Sequence, residues 1–572
     1  MVYHLRRTLI AVVFFVLSYI ALSALHSHLD PNTSKSEEER EDSVWIATSK
    51  YWVDRQACRY LGLCGLAHYR PDPAMKPWNR KSAMKNTNDQ IFLGGGGGDD
   101  IHAEYLDWED IIDDGKNSPD AWEGDPRVLK DVPQFVLDHA PLIHLYSGEQ
   151  FWPSDINEHL MYTTPYINHT TMNMTNDQHT LYNLQRLNSK VKGKYSFMAS
   201  KEDVEDRPEW LGSPYNKPVP YEDDDGEVEE VGAFEFSEAS DPKDEDVEWW
   251  DPYRYAEENK IALPLRPQEA PKPNLKIDLR KSKRSTGPSA RNEKAKASNL
   301  GPTMPKPGGY SPAPAVLVMV DKGNGILDAF WFYFYSYNLG TTVLNIRFGN
   351  HVGDWEHSLI RFKDGVPKAV FFSAHSGGLA YSYNAVEKGK GKGREGRPIL
   401  YSALGSHAMY ASPGSQPYVL PFGLLADVTD KGPLWDPALN YLAYHFNTSI
   451  THDADAHSIS ASGSHWDPTS PLSGSAPHAL TPSERTSSFQ PASCNPKAPL
   501  SWWWYTGHWG DKFYDLNDRR QWRFAGQYHY VNGPLGPIYK NLGRSRLCQS
   551  SGPCRIVESL KEGKKKTWLG TD

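Results

Sequence analysis

Residues 349–362 read GNHVGDWEHSLIRF and join a glycine-containing turn to a predicted β-strand. Successive side chains of a strand point to opposite faces of its sheet. Asp354 and Glu356 should therefore share one face, with Trp355 on the other, and His351 in the turn can fold back toward the two carboxylates. Two carboxylates and an imidazole suit a divalent cation such as Ca²⁺ or Mg²⁺, or general acid–base chemistry. The alternative is a buried polar cluster that fixes the turn.

Short apolar segments surround this motif on both sides. They cover residues 316–320, 329–337, 357–362, 369–373 and 399–404. Most are bounded by Gly, Asn, Asp or Pro, and no long helical period separates them. Short strands at this spacing are typical of an antiparallel β-sandwich or barrel. We therefore predict a mainly β fold, an antiparallel β-sandwich with long disordered insertions.

The predicted sandwich domain covers residues 131–547 and is interrupted twice. Residues 221–311 are acidic at first and then basic and proline-rich, and residues 446–498 are rich in Ser, His and Pro. Such compositions bury too little apolar surface to offset the entropy of folding, so both insertions are predicted to be disordered. Residues 26–130 are predicted to form a lumenal stem with a cysteine-containing segment, and residues 548–572 a C-terminal tail.

The N-terminus carries an apolar segment that precedes this domain. Residues 9–25, LIAVVFFVLSYIALSAL, contain no charge and follow Arg6 and Arg7. The segment is at the lower limit for a transmembrane helix. It is either a signal peptide cleaved near residues 21–25 or a signal anchor with residues 1–8 in the cytoplasm; its length and imperfect cleavage motif favour the anchor. The chain is then a single-pass type II membrane protein of the secretory or vacuolar pathway, and otherwise a secreted one.

Acceptor tripeptides for N-linked glycosylation agree with a lumenal location. Their sequence is Asn-X-Ser/Thr, and such tripeptides are modified only in the secretory route. The acceptors are Asn32, Asn168, Asn173 and Asn447.

The five cysteines are also ordered in a way that fits an oxidising compartment. Cys58 and Cys64 are six residues apart, as are Cys548 and Cys554, and Cys494 is left over. Local disulfides and end-to-end disulfides are both compatible with this spacing. Zinc sites use more closely spaced cysteine pairs, so a zinc site is not expected.

The charge balance restricts the class of partner. The 572-residue chain has a formal net charge of −10, whereas nucleic-acid-binding domains present a basic surface. We therefore expect no nucleic acid as a partner. The expected partners are the membrane, through the N-terminal anchor, and a cargo protein, glycan or lipid.

Several short motifs occur together in one order along the chain. They are APL (140–142), WPSD (152–155), DKGNG (321–325), DAFW (328–331), GDWEH (353–357), FSAHSGG (372–378), ALGSHA (403–408) and WGD (509–511). This combination resembles the fungal vacuolar protein sorting-associated protein 62 family, over residues 130–165 and 311–547. The resemblance implies a role in vacuolar protein trafficking and no enzymatic mechanism.

Two of these motifs are also similar, more weakly, to the necrosis- and ethylene-inducing-peptide-like cytolysins. Those proteins carry a heptapeptide GHRHDWE and a following SAHGG segment, which correspond here to HVGDWE and SAHSGG. The cytolysins are β-sandwiches that place the first His, the Asp and the Glu of the heptapeptide around a divalent cation. The resemblance thereby implies His351, Asp354 and Glu356 as metal ligands.

The chain departs from the cytolysin pattern at three points. The second His of the heptapeptide is Gly353 here, and its Arg is Val352. The cytolysins also use a further upstream Asp, for which the nearest upstream acid here is Asp328. These departures bear on cation affinity and on membrane-damaging activity rather than on the fold.

Three further histidines are candidate lining residues of the same pocket. His375 and His407 each follow a predicted strand, and His357 ends the GDWEH motif. Antiparallel neighbours bring the end of one strand beside the start of the next, so His375 and His407 are expected near the Asp354 turn. The alternative is that they cap turns by hydrogen bonding to the backbone.

Three functions follow from these observations. The preferred one is a membrane-anchored lumenal protein of vacuolar protein sorting, non-enzymatic, that binds its ligand through the divalent-cation pocket. The second is a metal-assisted hydrolase with Asp354 or Glu356 as the base. The third is a cytolysin-like glycan- or lipid-binding protein that acts on membranes. The sequence contains no nucleophile elbow, P-loop or HExxH motif.

Overall fold

The computed structural model describes residues 37–70, 129–167, 170–171, 179–189, 196–221, 306–343, 346–375, 377–417, 426–448, 487–524, 526–549 and 554–563. The predicted membrane segment 9–25 lies outside these residues, as do Asn32, Asn168, Asn173 and most of both predicted insertions. Asn447 is described and is exposed. None of the helices formed by the described residues has the length and apolar character needed to cross a bilayer.

The described part of the chain is mainly β. Its strands, numbered in chain order, are β1 (Leu63–Cys64), β2 (Leu142–His144), β3 (Thr163–Ile167), β4 (Thr170–Thr171), β5 (Ser196–Ser200), β6 (Ala315–Gly323), β7 (Ile326–Asn338), β8 (Thr341–Val343), β9 (Ile346–Phe348), β10 (His351–Lys363), β11 (Val366–Ala374), β12 (Gly377–Ser382), β13 (Ile399–Ser402), β14 (Met409–Tyr410), β15 (Gly414–Pro417), β16 (Ala426–Thr429), β17 (Leu434–Trp435), β18 (Tyr441–Phe446), β19 (Phe489–Pro491), β20 (Arg523–Phe524), β21 (Gln527–Tyr528) and β22 (Ile556–Val557). Four of the five apolar segments singled out in the sequence lie within β6, β7, β10 and β11, and the fifth, 399–404, begins with β13, which ends at Ser402.

The helices are short and lie outside the central strands. The α-helices are α1 (Glu37–Thr48), α2 (Trp52–Leu61), α3 (Gln134–Asp138), α4 (Ile156–Met161), α5 (Glu209–Gly212) and α6 (Leu560–Gly563). Turns of 3₁₀-helix cover Leu184–Ser189, Val204–Asp206, Pro214–Asn216, Tyr383–Ala385, Pro437–Leu439, Ser501–Trp504 and Pro537–Lys540. Helix α4 begins at the N-cap residue Asp155, whose carboxylate accepts a hydrogen bond from the backbone N–H of Asn157 at 2.8 Å.

One eight-stranded sheet organises the fold, in the order β19-β18-β6-β7-β10-β11-β12-β22. Its centre is the antiparallel pair β7–β10, in which both strands are 13 residues long. A second sheet has the order β14-β13-β2-β17. The smaller sheets are β4-β3-β5, β1-β20-β21, β15-β16 and β8-β9.

Side-chain alternation divides the large sheet into two apolar faces. One face, with Phe330, Phe332 and Trp355, is covered by residues that include Trp502, Trp503, Trp504 and Trp509. The other face, with Trp331, Tyr333, Tyr335 and Phe372, packs against Ile143, Leu400, Met409 and Trp435 of the second sheet. Strand β7 is 13 residues long and buried on both faces of the large sheet, so it must be apolar at successive positions. Its aromatic side chains therefore pack on both faces.

The large sheet is mixed, which differs from the antiparallel arrangement predicted. It is antiparallel from β6 to β12, but β18 runs parallel to β6, and β22 runs parallel to β12. Strand β19 belongs to the predicted insertion 446–498, and β22 belongs to the predicted tail 548–572. Both segments therefore contribute strands to the sheet, although each strand has at most three residues and gives little sequence signal.

The cysteine-containing segment packs onto the β domain. Strand β1 pairs with β20, and a small apolar cluster joins Trp45 and Cys58 to Phe513 and Leu516. The disulfides are local: Cys58 is bonded to Cys64, and Cys548 to Cys554. Cys494 is a free, exposed thiol.

Candidate functional site

The GDWE motif lies at the start of β10, where the backbone of Gly353 has a positive φ of +69°. A side chain at this position would be strained by that backbone conformation and would also collide with the carbonyl oxygen of Trp509. This close approach explains why the chain has glycine where the cytolysin heptapeptide has its second histidine. The backbone geometry here excludes a side-chain ligand at residue 353.

Asp354 and Glu356 occupy one face of β10, as their spacing predicts. In the antiparallel register, Asp354 lies opposite Tyr335 and Glu356 lies opposite Tyr333. Trp355 points to the other face, where its ring stacks on Trp502 with the ring centroids 5.9 Å apart. The two carboxylates therefore lie between the large sheet and the loops around the second sheet, and both are buried.

His407 is the closest basic partner of Asp354. Its Nδ1 lies 3.0 Å from Oδ2 of Asp354, and its Nε2 lies 3.1 Å from the carbonyl oxygen of Phe151. Both partners are acceptors, so each contact is a hydrogen bond when the ring nitrogen that makes it carries the proton. The ring is fully buried and stacks on Tyr335 with a centroid separation of 3.7 Å. The sequence prediction that His407 faces the Asp354 turn agrees with this contact.

The region around Asp354, Glu356 and His407 is called the Asp354 corner below. Two histidines of this corner have the left-handed backbone conformation that residues with side chains rarely adopt. His375 directly follows β11 and has φ +53°, and His407, in the turn after β13, has φ +54°. Strained backbone of this kind clusters at binding and catalytic sites. The fold therefore holds both imidazoles in place through their turns.

Glu149 supports the turn that carries His407. Its Oε1 accepts hydrogen bonds from the backbone N–H groups of Gln150 and Phe151, and its Oε2 accepts one from Gly405 at 2.9 Å. Oε1 also lies 3.9 Å from Nε2 of His407. Glu149 is distant in sequence from the GDWE motif, and sequence reasoning did not identify it.

Glu356 is bonded to Ser373, whose hydroxyl donates to the carboxylate while accepting the backbone N–H of His357 at 2.8 Å. Burial raises the pKa of Glu356 well above its ordinary value, and the nearby charges of Asp354 and Asp427 raise it further. A carboxyl group in this situation either holds a proton at neutral pH or requires a positive charge beside it. The corner is therefore suited to hold a proton or a cation.

Asp427 in β16 is the second acid that sequence reasoning missed. Its Oδ2 lies 2.8 Å from Nε2 of His375 and 2.7 Å from the hydroxyl of Tyr410, and its Oδ1 accepts the hydroxyl of Ser406 at 3.0 Å. No motif surrounds Asp427 in the sequence; only the pairing of β15 with β16 brings it to this corner. It is almost completely buried.

His375 is the accessible member of the cluster, with 28% of its side chain exposed. Burial lowers its pKa, but the carboxylate of Asp427 outweighs that effect, and Asp354 adds to it, so the net pKa is raised. Asp427 joins His375 to the turn that carries His407, because its Oδ1 accepts the hydroxyl of Ser406. His375 therefore occupies the solvent side of the corner, as a lining residue.

His351, the first residue of β10, contacts the carbonyl oxygen of Gly353 through Nδ1 at 2.6 Å. A carbonyl only accepts, so Nδ1 carries the proton and Nε2 is the basic nitrogen. Burial lowers the pKa of His351, so the ring is neutral at pH 7. A neutral imidazole with a backbone-fixed tautomer is the form in which histidine binds metal ions.

His357 does not line this corner. Strand alternation turns its ring to the opposite face, among Phe330, Phe332 and Phe371. Burial lowers the pKa of His357 well below its ordinary value. Its prediction as a lining residue failed because it is one residue out of phase with Asp354 and Glu356.

Asp328 also lies away from the site. Its carboxylate is fully buried and forms a bidentate ion pair with Arg361. The distances from Nε to Oδ1 and from Nη2 to Oδ2 are both 2.7 Å. Its position in β7 is opposite Arg361, near the far end of β10 from Asp354. Asp427, rather than Asp328, is the additional acid near Glu356.

The three predicted ligands do not form a closed coordination shell. A metal ion needs at least three His, Cys or carboxylate ligand atoms close together. Among the described residues, Asp42, Cys58 and Cys64 bring three such atoms within 4.8 Å of one another. Both of those cysteines are in a disulfide, which removes their thiolates as ligands. His351, Asp354 and Glu356 do not meet that distance.

Comparison with known proteins identifies related chains. A family model described as vacuolar protein sorting-associated protein 62 matches residues 327–441, which include the GDWE, SAHSGG and GSH motifs. The chain is 31% identical over 525 residues to the putative vacuolar protein sorting-associated protein TDA6 of Saccharomyces cerevisiae, covering 87% of this chain and 82% of that protein. It is 30% identical over 451 residues to vacuolar protein sorting-associated protein 62 of the same yeast, covering 74% and 70%. No solved structure matches this chain.

Proposed function

Because the chain belongs to the vacuolar protein sorting-associated protein 62 family, we propose that it acts in vacuolar protein sorting. In this proposal it is a membrane-anchored lumenal protein that binds a ligand and catalyses no reaction. Residues 9–25 anchor it, with residues 1–8 in the cytoplasm and the β domain in the lumen. The names of two yeast relatives support the sorting role, and the apolar segment with its preceding arginines supports the topology.

We further propose that the domain is a β-sandwich. The support is the apolar layer shared by the large sheet and the second sheet, to which Trp331 and Tyr333 contribute from one side and Leu400 and Trp435 from the other. Two sheets that enclose one apolar layer present their loops together at the ends of the strands. The Asp354 corner lies among such loops.

The observation that carries the ligand-binding proposal is the concentration of acids around Asp354. Asp354 and Asp427 both raise the pKa of the buried Glu356, and His375, with 28% of its side chain exposed, is bonded to Asp427. Carboxylate oxygens are the ligands that Ca²⁺ and Mg²⁺ prefer, and a bound dication would offset the repulsion that raises the pKa of Glu356. We propose that His351, Asp354 and Glu356 hold this cation.

The residues present fit such an ion chemically. Oδ2 of Asp354 is bonded to His407, so Oδ1 is the oxygen left for a cation. Glu356 would exchange its hydrogen bond with Ser373 for the ion, and His351 would offer Nε2, because Nδ1 faces the Gly353 carbonyl. The cation would supply a positive charge on which an oxygen of the cargo, glycan or lipid ligand can bind.

The cellular test replaces the chain with the double variant Asp354→Asn and Glu356→Gln. The measured quantity is the fraction of newly made vacuolar cargo that is secreted instead of delivered. The account expects secretion as high as in cells without the chain, at an unchanged protein level. Asp364→Asn is the matched control, because Asp364 is an exposed acid with 70% of its side chain accessible. Normal delivery by the double variant would refute the role of this site in sorting.

A metal-assisted hydrolase is the second candidate, and the raised pKa of Glu356 favours it. A carboxyl group whose pKa is raised is suited to general acid–base catalysis beside a cation-bound water. Hydrolysis of ester, phosphoester or glycoside substrates that is lost in Glu356→Gln would support this candidate over pure binding. Cation-dependent leakage of vesicles would instead support the cytolysin-like activity.

A further inference from the structure

Helix α2 exposes an apolar face that the described residues leave uncovered. Trp52 is 65% exposed, Val53 67%, Tyr60 55% and Leu61 58%. Single exposed apolar residues are common on protein surfaces, but this ten-residue helix carries a patch of four large ones, two at each end. Such patches mark sites of interaction with proteins or membranes.

The opposite face of the helix fixes this patch in place. Ala57 and Cys58 are buried, and the disulfide from Cys58 to Cys64 ties the helix to the strand that follows it. The carboxylate of Asp54 accepts hydrogen bonds from the backbone N–H groups of the turn at residues 65–67. The apolar patch is therefore presented by a helix that is cross-linked before any partner arrives, which lowers the entropy cost of binding.

The charges beside the patch are positive. Residues 52, 56 and 60 follow one another at four-residue spacing, so their side chains lie in one row along the helix. Arg59 and Lys50 are exposed beside this row. Asp54 is the acid of this helix, and its carboxylate is turned into the fold. Aromatic side chains with flanking Lys and Arg are the composition of helices that lie at a membrane surface and favour anionic lipids.

The position of the helix in the chain places it close to a membrane. Eleven residues, 26–36, separate the apolar segment 9–25 from the first residue of α1, Glu37. An extended chain of that length spans at most about 40 Å. The helix α2 therefore remains within reach of the surface of any bilayer that residues 9–25 enter.

We propose that the exposed face of α2, formed by Trp52, Val53, Tyr60 and Leu61, docks on the anionic headgroup region of the bilayer that holds the N-terminal anchor. This inference rests on the membrane anchor of the proposed function. The docked helix would add a second contact to the anchor and fix the orientation of the β domain at the membrane. The aromatic rings would lie at the depth of the headgroups, with Lys50 and Arg59 facing the lipid phosphates.

The test uses the full chain with the free thiol removed by Cys494→Ser, reconstituted into phosphatidylcholine vesicles with and without phosphatidylserine. An environment-sensitive fluorophore is attached at Gln56→Cys, in the exposed row, because its side chain is only partly buried. The matched control is the same fluorophore at Tyr215→Cys, an 80% exposed aromatic position in the 3₁₀-helix Pro214–Asn216. Quenching by nitroxide-labelled lipid and by aqueous iodide is measured for both positions.

The proposal expects lipid quenching at position 56 at least about twofold stronger than at position 215, and stronger still with phosphatidylserine. It also expects the charge reversal Arg59→Glu to reduce that quenching. Strong retention of the protein in the vesicles without lipid quenching at position 56 would overturn the docking while leaving the anchor intact. If the fluorophore at position 56 is protected from iodide but is not quenched by lipid, the docking proposal is overturned, because another part of a protein then covers the helix. Release of the protein from the vesicles by alkaline carbonate would instead contradict the anchor itself.

Discussion

Oδ2 of Asp354 lies 3.0 Å from Nδ1 of His407, and this contact joins the start of β10 to the turn after β13. The two residues are 53 positions apart in the chain, and both are buried. The carboxylate of the GDWE motif is thus held by the imidazole of the GSH motif. This pair links two motifs that the sequence presents separately.

Replacing His407 with Gln should destabilise the protein, because Asp354 would remain as a buried carboxylate without its basic partner. Leaving one partner of a buried hydrogen bond unsatisfied costs about 1–3 kcal/mol in the free energy of unfolding, and more for a charged group, while Gln retains part of the hydrogen bonding. Urea unfolding of His407→Gln, Asp354→Asn and the double variant measures the coupling. Clearly non-additive losses are expected, whereas additive losses would mean that the two side chains do not act as a pair.

Gly353→Ala should destabilise more than Gly349→Ala, although both glycines belong to the same turn region. Both have a positive φ, +69° and +85°, so both substitutions carry backbone strain of about 1–2 kcal/mol. Only at Gly353 would the new methyl group collide with the Trp509 carbonyl; at Gly349 it would meet open space. Thermal unfolding of the two variants is compared. Both carry the cost of backbone strain, so the difference between them measures the cost of the collision with the Trp509 carbonyl. Equal losses of stability would show that the contact with Trp509 does not constrain the turn.

The buried ion pair between Arg397 and Asp436 should contribute more to the free energy of unfolding than an exposed ion pair does. Arg397 Nη1 lies 2.7 Å from Asp436, and Nε donates to the carbonyl oxygen of Ala140 at 2.8 Å. Arg397→Met leaves Asp436 buried and unpaired, at an expected cost of about 3–5 kcal/mol. The matched control is Lys431→Met, which removes a half-exposed pair with Glu387 and should cost under about 1 kcal/mol. Similar losses in both variants would contradict this ranking.

His159 should make the protein less stable as the pH falls. Its ring is buried, with Nε2 donating to the Trp509 carbonyl at 2.9 Å, and burial lowers its pKa from 6.5 to about 4. The unfolded state therefore binds the extra proton first, and stability is full above pH 6.5 and falls as the pH drops toward 4. Between pH 7 and pH 5 this one group should remove about 2 kcal/mol.

Unfolding free energies of wild type and His159→Gln at pH 7 and pH 5 isolate this contribution. The comparison with the variant is needed because the titration of Asp155 and Glu158 changes the pH dependence of stability in the opposite direction. Burial raises their pKa values to about 6 and about 7, so each stabilises the fold as the pH falls below its folded pKa. An identical pH dependence of wild type and variant would show that His159 is not the titrating group.

The strands of the central sheet could be predicted from the sequence because their signal is local. The aromatic run 329–337 and the segment 357–362 are long, apolar and bounded by turn residues, and both are strands. The opposite orientation of Trp355 relative to Asp354 and Glu356 also follows directly from strand alternation. The same rule, applied to His357, would have placed that residue on the far face.

The rest of the site depends on contacts that no local pattern encodes. Asp427 and Glu149 reach the corner only through the pairing of distant strands and turns, and neither lies in a motif. Strands β19 and β22 are too short to stand out from their low-complexity surroundings. The parallel pairing of β18 with β6 depends on the path of the chain between them, which periodicity does not report.

The most direct test of the account is calorimetric titration of the purified full chain in detergent with Ca²⁺ and with Mg²⁺. Wild type, Asp354→Asn, Glu356→Gln and the control Asp364→Asn are compared, with thermal unfolding to verify that each is folded. The account predicts binding of at least one of the two ions by wild type and control, weakened about tenfold or more in each site variant. Absence of binding by folded wild type, or unchanged binding by both site variants, would contradict the cation pocket and leave the Asp354 corner as a structural turn.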